Sequence, residues 1–248
     1  MAQKDYFSSH SRIYATFRPT YPEKLYQFIF SHLNGQSTAW DCATGNGQVA
    51  QRLGKDFEKV FATDISRQQL DEAHQASNIF YSVSSAEQTS FQDNQFDLIT
   101  VGQALHWFRI DEFYREAKRT AKPHGLLAIW GYALLSIEPA IDELFLDFYH
   151  NTAGPYWDSA RKLVEGEYCD VPFPFEVIET PKFEIVVQWD LDQFAGYITS
   201  WSATQKYIKT LGTNPAVAFS EKLKPYWKAG IQKTVTFPVF MKLGRVVK

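Results

Sequence analysis

Cysteine is scarce in this chain: there are two, Cys42 and Cys169, with no CxxC pair and no histidine-rich company. That excludes a disulfide framework and a cysteine-type zinc site, so no metal is expected and a reducing, cytoplasmic setting fits. Long apolar runs are missing as well. No stretch reaches the roughly 18 uninterrupted apolar residues of a membrane span, and the opening MAQKDYFSSHSR lacks the apolar core of a signal peptide, so a soluble, unsecreted protein with no membrane partner is expected. Positive charge is not in excess: 25 Lys plus Arg against 28 Asp plus Glu give −3. Such a chain has no field with which to hold a phosphate backbone, and nucleic acid is not an expected partner. Repeats, low-complexity tracts, charge blocks and interdomain linkers are absent too.

What is there is ordinary globular usage, 45% hydrophobic and 21% charged over 248 residues. That length suits one α/β domain with an elaboration. The excess is aromatic: 20 Phe, 13 Tyr and 7 Trp make 16% of the chain, enough to furnish a core, an interface and the lining of a pocket.

Along the chain, Thr20, Tyr21, Pro22 and Glu23 read as a capping box with proline at the first helical position, followed by Leu25, Phe28, Ile29 and Leu33 at helical spacing. Strand signals at Thr38–Asp41, Lys59–Thr63, Ile79–Val83, Phe96–Val101 and Leu126–Tyr132 alternate with helical patterns. Among the latter are one capped at Ser66, one from about Asp111 to Lys122 and one carrying Ile141, Leu144, Phe145 and Phe148. Five strands alternating with helices predict an α/β fold with a doubly wound, mostly parallel sheet. Beyond about Asn151 the alternation stops, and Gly154 to Phe175 reads as a lid or cap. Phe183–Trp189 is a strand, Asp190–Leu211 is helical, Asn214 with Pro215 caps a helix ending at Gly230, and Thr234–Leu243 is the final strand. The organisation expected is a single domain: an N-terminal lid and helix over residues 1–35, a core over 36–150, a covering region over 151–230 and a last strand over 231–248.

In open α/β sheets ligands bind outside the carboxyl ends of the strands, where the strand order reverses. The loop after the first strand reads Asp41, Cys42, Ala43, Thr44, Gly45, Asn46, Gly47, and its glycines let a ligand approach the backbone at a helix N-terminus. Gly45, Gly47 and Ala50 also satisfy a dinucleotide fingerprint, with Asp64 placed where a ribose-binding acid is expected. Asp41 separates the two readings. An acid there costs Coulomb energy beside a pyrophosphate and contributes it beside an ammonium or sulfonium, so a cofactor with a positive end is favoured.

Four segments in order carry a resemblance. DCATGNGQ matches a D/E-x-G-x-G-x-G motif, ATDIS supplies the acid that ends the second strand, QFDLITVGQALHWF is similar to a strand-four segment, and KPHGLLAIWG to a P-x-G turn into strand five. In these the chain resembles the class I S-adenosylmethionine-dependent methyltransferases over about residues 36–132. YATFRPTYP, ALHWF and SWSA resemble the subgroup that contains trans-aconitate methyltransferase and related small-molecule enzymes. The resemblance implies a seven-stranded sheet whose last strand is antiparallel, with S-adenosyl-L-methionine as cofactor and a small-molecule methyl acceptor as partner. Two positions depart from the pattern: Ala43 replaces the usual first glycine, and Ser85 stands where many relatives carry an acid for the adenine amino group.

By that resemblance Asp41, Ala43, Gly45 and Gly47 surround the methionine moiety, Asp64 with Ile65 takes the ribose, Ser85, Ala86 and Glu87 flank the adenine, and Gln103 lies beside the methionine portion. His106 is a candidate general base or orienting group, its ordinary pKa suiting proton transfer. Tyr14, Arg18, Tyr21, Trp107, Tyr132, Trp201 and Ser202 are the candidate acceptor-binding set, Arg18 as a partner for a carboxylate. The acceptor expected is a carboxylate, which needs no base, or a hydroxyl, which does. The region after strand four lacks the [N/D]-P-P-[Y/F] motif of base-amine methylation, and neither cysteine is placed for cytosine C5 chemistry. The rivals left open are a nicotinamide-dependent oxidoreductase on the same type of sheet and a non-catalytic cofactor-binding module.

Overall fold

The computed structural model describes residues 17–248. Its centre is a sheet of eight strands: β1 (Thr38–Cys42), β2 (Lys59–Asp64), β3 (Ile79–Val83), β4 (Phe96–Gly102), β5 (Ala121–Tyr132), β6 (Glu176–Ile178), β7 (Phe183–Trp189) and β8 (Lys233–Arg245). They are ordered β3-β2-β1-β4-β5-β8-β6, with β7 also on β8. The first five strands pair in parallel, whereas β8 runs antiparallel to β5 as expected. The short strand β6 was not legible in the sequence. It pairs with Leu243–Arg245 while β7 pairs with Lys233–Val239, so two strands share the flank of the 13-residue β8.

Strand β1 is buried almost throughout and β5 from Gly125 to Tyr132, as parallel strands covered on both faces are. One face is covered by α1 (Glu23–Ser31) and α2 (Gln48–Leu53), the other chiefly by α4 (Ile110–Thr120). Trp40 is fully buried in the second core, and its indole N–H donates to Thr63 Oγ1 at 2.8 Å, so the large ring leaves no orphan donor. Between β2 and β3 lies α3 (Arg67–Asp71), capped by Ser66, whose hydroxyl accepts from the Gln69 N–H at 3.3 Å.

Three local expectations are corrected. Pro22 is the N-cap of α1, in extended conformation, and no side chain caps that helix; Glu23 instead takes the Arg52 guanidinium, with Nε donating to Oε2 at 2.7 Å. An interhelical ion pair has replaced the capping box. The helical stretch from Asp190 is broken into α7 (Leu191–Thr199) and α8 (Ser202–Leu211). Ser200 closes α7 by donating its hydroxyl to the Tyr197 carbonyl at 2.6 Å, and Trp201 is extended at φ −69°, ψ 141°. In the sequence the apolar period, Leu191, Phe194, Tyr197, Ile198, Trp201, Tyr207 and Ile208, runs on through this corner. The helix capped by Asn214, α9 (Pro215–Leu223), stops well short of Gly230.

The cap is made of α5 (Pro139–Asp147), a π-turn over Phe148–Thr152, a 3₁₀ turn at Gly154–Tyr156, α6 (Arg161–Glu165), and α7 to α9. Its rings, among them Phe145, Phe148, Tyr149, Phe194, Trp201, Phe219 and Trp227, are buried together and continuous with the core beneath the sheet. Much of the aromatic excess is therefore structural. Among the described residues no helix is long and apolar enough to cross a membrane.

Candidate functional site

The bend after β1 is set by backbone that side chains rarely adopt: Ala43, Gly45 and Gly47 all have positive φ, at 56°, 57° and 81°. At Gly47 glycine is required twice over, since a Cβ there would also lie 2.5 Å from the Tyr81 hydroxyl. Ala43 bears the left-handed conformation at a cost that glycine would avoid, which is the physical content of its departure from the motif.

Asp64 ties the bend to β2. Its Oδ2 accepts the Gly45 N–H and its Oδ1 the Ser66 N–H, each at 2.9 Å. A carboxylate has about four lone-pair sites, enough to serve two backbone N–H groups and a vicinal diol together. Asp41 is buried at the end of β1, receiving the Thr100 hydroxyl at 2.8 Å and the Thr44 hydroxyl. Burial pushes its carboxyl up to about 6 against the opposing effect of those donors, and the Asp64 charge adds to the rise. A cationic group arriving here would favour the ionised form. The residues present thus fit S-adenosylmethionine: a diol acceptor at Asp64, a cation-seeking acid at Asp41, and a bend open to close backbone approach.

The expected adenine residues lie next in line. Ala86 is buried, and the Ser85 hydroxyl donates to the Gln88 carbonyl at 3.3 Å. The Glu87 carboxylate accepts the Arg109 N–H at 3.0 Å and has the Arg109 guanidinium 3.8 Å away, so it caps the start of α4. Ile65 is exposed.

After β4, Gln103 also has positive φ, at 55°. Its side-chain Oε1 accepts the Tyr132 N–H at 2.7 Å, and it can lie there because Gly131 carries no Cβ, which would come 2.5 Å from that oxygen. The amide of Gln103 therefore extends the ladder to β5. His106 Nδ1 lies 2.9 Å from the Tyr168 hydroxyl. Burial, helped by the nearby Arg161 charge, lowers the His106 pKa to about 3, so the imidazole is neutral at physiological pH.

These residues open on a cavity of about 50 Å³ lined by Arg18, Gln103, His106, Trp107, Trp157, Asp158, Arg161, Tyr197, Trp201 and Ser202. Arg18 donates to the Tyr132 hydroxyl at 2.5 Å and the Ser200 carbonyl at 3.4 Å, and its guanidinium lies 5.6 Å from the Tyr197 ring centroid. Asp158 is bound by Lys206 at 2.5 Å. Two guanidinium groups thus share a small chamber in which Asp158, among the described residues, is the carboxylate and already holds a cation.

Of the acceptor set, the structure brings Arg18, Trp107, Trp201 and Ser202 to this chamber with Gln103 and His106. Tyr132 reaches it through Arg18, and Tyr21 packs on Trp130 and Tyr132 at 5.5 and 6.3 Å between ring centroids. Tyr14 lies outside the described residues. Sequence reasoning missed Trp157, Asp158, Arg161 and Tyr197. For the first three the only signal was the aromatic, basic run in the segment read as a lid, where Trp157 and Arg161 are four residues apart; Tyr197 carried none.

With the geometry in place, comparison with known proteins adds the following. The family profile described as a methyltransferase domain matches residues 40–129, from the middle of β1 into β5. A protein of Dictyostelium discoideum named as a methyltransferase is 34% identical over 249 residues, covering 97% of this chain and 95% of that one. A Saccharomyces cerevisiae protein named as an S-adenosylmethionine-dependent methyltransferase, CRG1, is 23% identical, covering 89% of this chain and 88% of its own. Among solved structures, a protein from Anaeromyxobacter dehalogenans described as a type II methyltransferase superposes with a TM-score of 0.85 at 32% identity, over 93% of this chain and 99% of that one.

Proposed function

This chain belongs to the class I S-adenosylmethionine-dependent methyltransferases, and from that premise we propose that it methylates a carboxylate oxygen of a small-molecule acceptor. The observation that carries the proposal is the pair of guanidinium groups, Arg18 and Arg161, in a chamber where Asp158 is already bound by Lys206. Cationic donors on the walls favour an anion, and guanidinium geometry suits a carboxylate.

When bound, S-adenosylmethionine supplies an electrophilic methyl group on a sulfonium. Asp64 would hold the ribose hydroxyls and Asp41 would lie towards the positively charged methionine end. The protein's remaining task is alignment, which is worth on the order of 7 to 11 kcal/mol when reacting atoms are held in line. Gln103, fixed to β5 through Tyr132, keeps the end of β4 rigid beside the methionine portion. Trp107, Trp157 and Trp201 exclude water around the acceptor.

His106 decides between acceptor classes. A hydroxyl acceptor has to lose a proton, and an imidazole held near 3 is a weak base for that; a carboxylate is ionised already. In the tautomer in which the Tyr168 hydroxyl donates to Nδ1, the ring hydrogen sits on Nε2, and His106 can orient an acceptor oxygen by donating to it.

The test is transfer of labelled methyl from S-adenosylmethionine to a panel of small carboxylates, phenols and amines. The proposal expects base-labile methyl esters among the carboxylates. Label appearing only in base-stable ethers or amines would overturn the acceptor assignment.

A further inference from the structure

Arg161 is held more elaborately than a chamber-lining residue needs. Its Nε donates to the Tyr149 hydroxyl at 2.9 Å, and that hydroxyl donates in turn to Glu165 Oε1 at 2.5 Å. The guanidinium carbon lies over the Trp157 ring, 4.8 Å from its centroid, and 5.8 Å from that of Tyr149. Nε is thus engaged and the group sits against two rings, while among the described residues no carboxylate pairs with the terminal nitrogens. Beside it, Trp157 lines the same chamber, and its indole N–H is buried with no acceptor among the described residues. A buried donor without a partner costs free energy that an arriving anion would recover.

We propose that Arg161 and Trp157 form an anion-binding subsite on the cap, which holds a charged group of the acceptor other than the oxygen that takes the methyl. The inference rests on the carboxylate-acceptor reading and adds a second anionic group to it. The reason is chemical. A carboxylate that gives both oxygens to one guanidinium has its lone pairs engaged and its charge stabilised, a good anchor and a poor nucleophile, so Arg161 suits a second charged group of the acceptor rather than the reacting one. The reacting oxygen is better placed beside the neutral His106, which adds no second charge to grip it. Tyr149 and Glu165 are then positioning residues, fixing the guanidinium plane.

The experiment uses the full chain loaded with S-adenosylhomocysteine and titrates the α,ω-dicarboxylates from succinate to adipate against their monomethyl esters, read by calorimetry and tryptophan fluorescence. In the wild type at least one dianion is expected to bind at least tenfold more tightly than its monoester. Arg161→Gln should abolish that preference while leaving S-adenosylhomocysteine affinity within twofold, which also reports that the variant is folded. Arg161→Lys should restore part of the preference, and Tyr149→Phe should reduce it about threefold. Equal binding of dianion and monoester by the wild type, or a preference unchanged in Arg161→Gln, would overturn the subsite and leave the carboxylate reading standing. Binding of neither anion to a protein that binds S-adenosylhomocysteine would overturn both.

Discussion

The bend after β1 and the cap over residues 139–223 meet the same carboxyl edge of one sheet with opposite charge. The bend offers Asp41 and Asp64; the chamber under the cap offers Arg18 and Arg161. The acidic wall is built within 24 residues from two adjacent strand ends, its geometry set by backbone that only a few residue types tolerate. The cationic wall joins side chains 143 positions apart in sequence, held by ring stacking and hydroxyls. On the proposed reading one fold handles both reactants with two kinds of wall: a backbone-defined acidic seat for a cation-bearing cofactor, and a set of side chains on the cap for the acceptor.

The largest effect that would sharpen this contrast is on the cap. Trp201 is buried against Phe145, Phe148, Tyr149, Trp157 and Tyr197, and Trp201→Ala should cost about 3 to 5 kcal/mol of stability by urea unfolding. In the fraction that remains folded, S-adenosylhomocysteine affinity should stay within threefold, because the cofactor seat is built elsewhere. A large loss of that affinity would show that the two regions are one unit.

Next comes Asp64→Ala, expected to weaken S-adenosylhomocysteine binding by about 1.5 to 3 kcal/mol, the scale of hydrogen bonds to a charged group, with the Gly45 and Ser66 N–H groups losing their acceptor as well. Unchanged affinity in calorimetry would place the ribose away from β2.

Acidity gives a third test. With its carboxyl raised to about 6, Asp41 is mostly protonated at pH 5. Because the cofactor's ammonium favours the ionised form, binding should release a proton there and weaken about tenfold between pH 7.5 and 5. Asp41→Asn should flatten that slope. The sign for stability is opposite: a carboxyl whose folded pKa lies above its unfolded value stabilises at low pH, and the unliganded protein loses that contribution as pH rises from about 4 through 6. The smallest expected effect concerns His106. The rate should show no histidine inflection between pH 6 and 8, and His106→Gln should lower kcat by less than about tenfold, less than a dedicated base would cost. An inflection near 6.5 lost in that variant would contradict the orienting role.

The same contrast explains what could be read in advance. The sheet and the bend were legible because buried strands read as apolar runs, while left-handed turns and helix starts demand particular residue types; the antiparallel direction of the last strand came only with the resemblance to the family. The cap was legible only as an interruption. Its helices are short, the corner at Ser200–Trp201 leaves the apolar period intact, and the three residues of β6 carry no pattern of their own. Arg18 could be named from the segment around it. Arg161 heads a five-residue helix with no motif, and its role comes from Tyr149 and Trp157, which sequence spacing does not bring together. Gln103 was placed correctly at the end of β4, but that its amide serves the Tyr132 backbone depends on the gap left by Gly131.

The central claim is that acids seat the cofactor while cations seat the acceptor, and a crystal structure of the protein with S-adenosylhomocysteine and a dicarboxylate tests it most directly. The account predicts ribose hydroxyls within hydrogen-bond distance of Asp64, the amino group on the Asp41 side of the bend, and a carboxylate on Arg161. An adenosyl group bound away from Asp41 and Asp64, or a carboxylate that avoids both arginines, would contradict it.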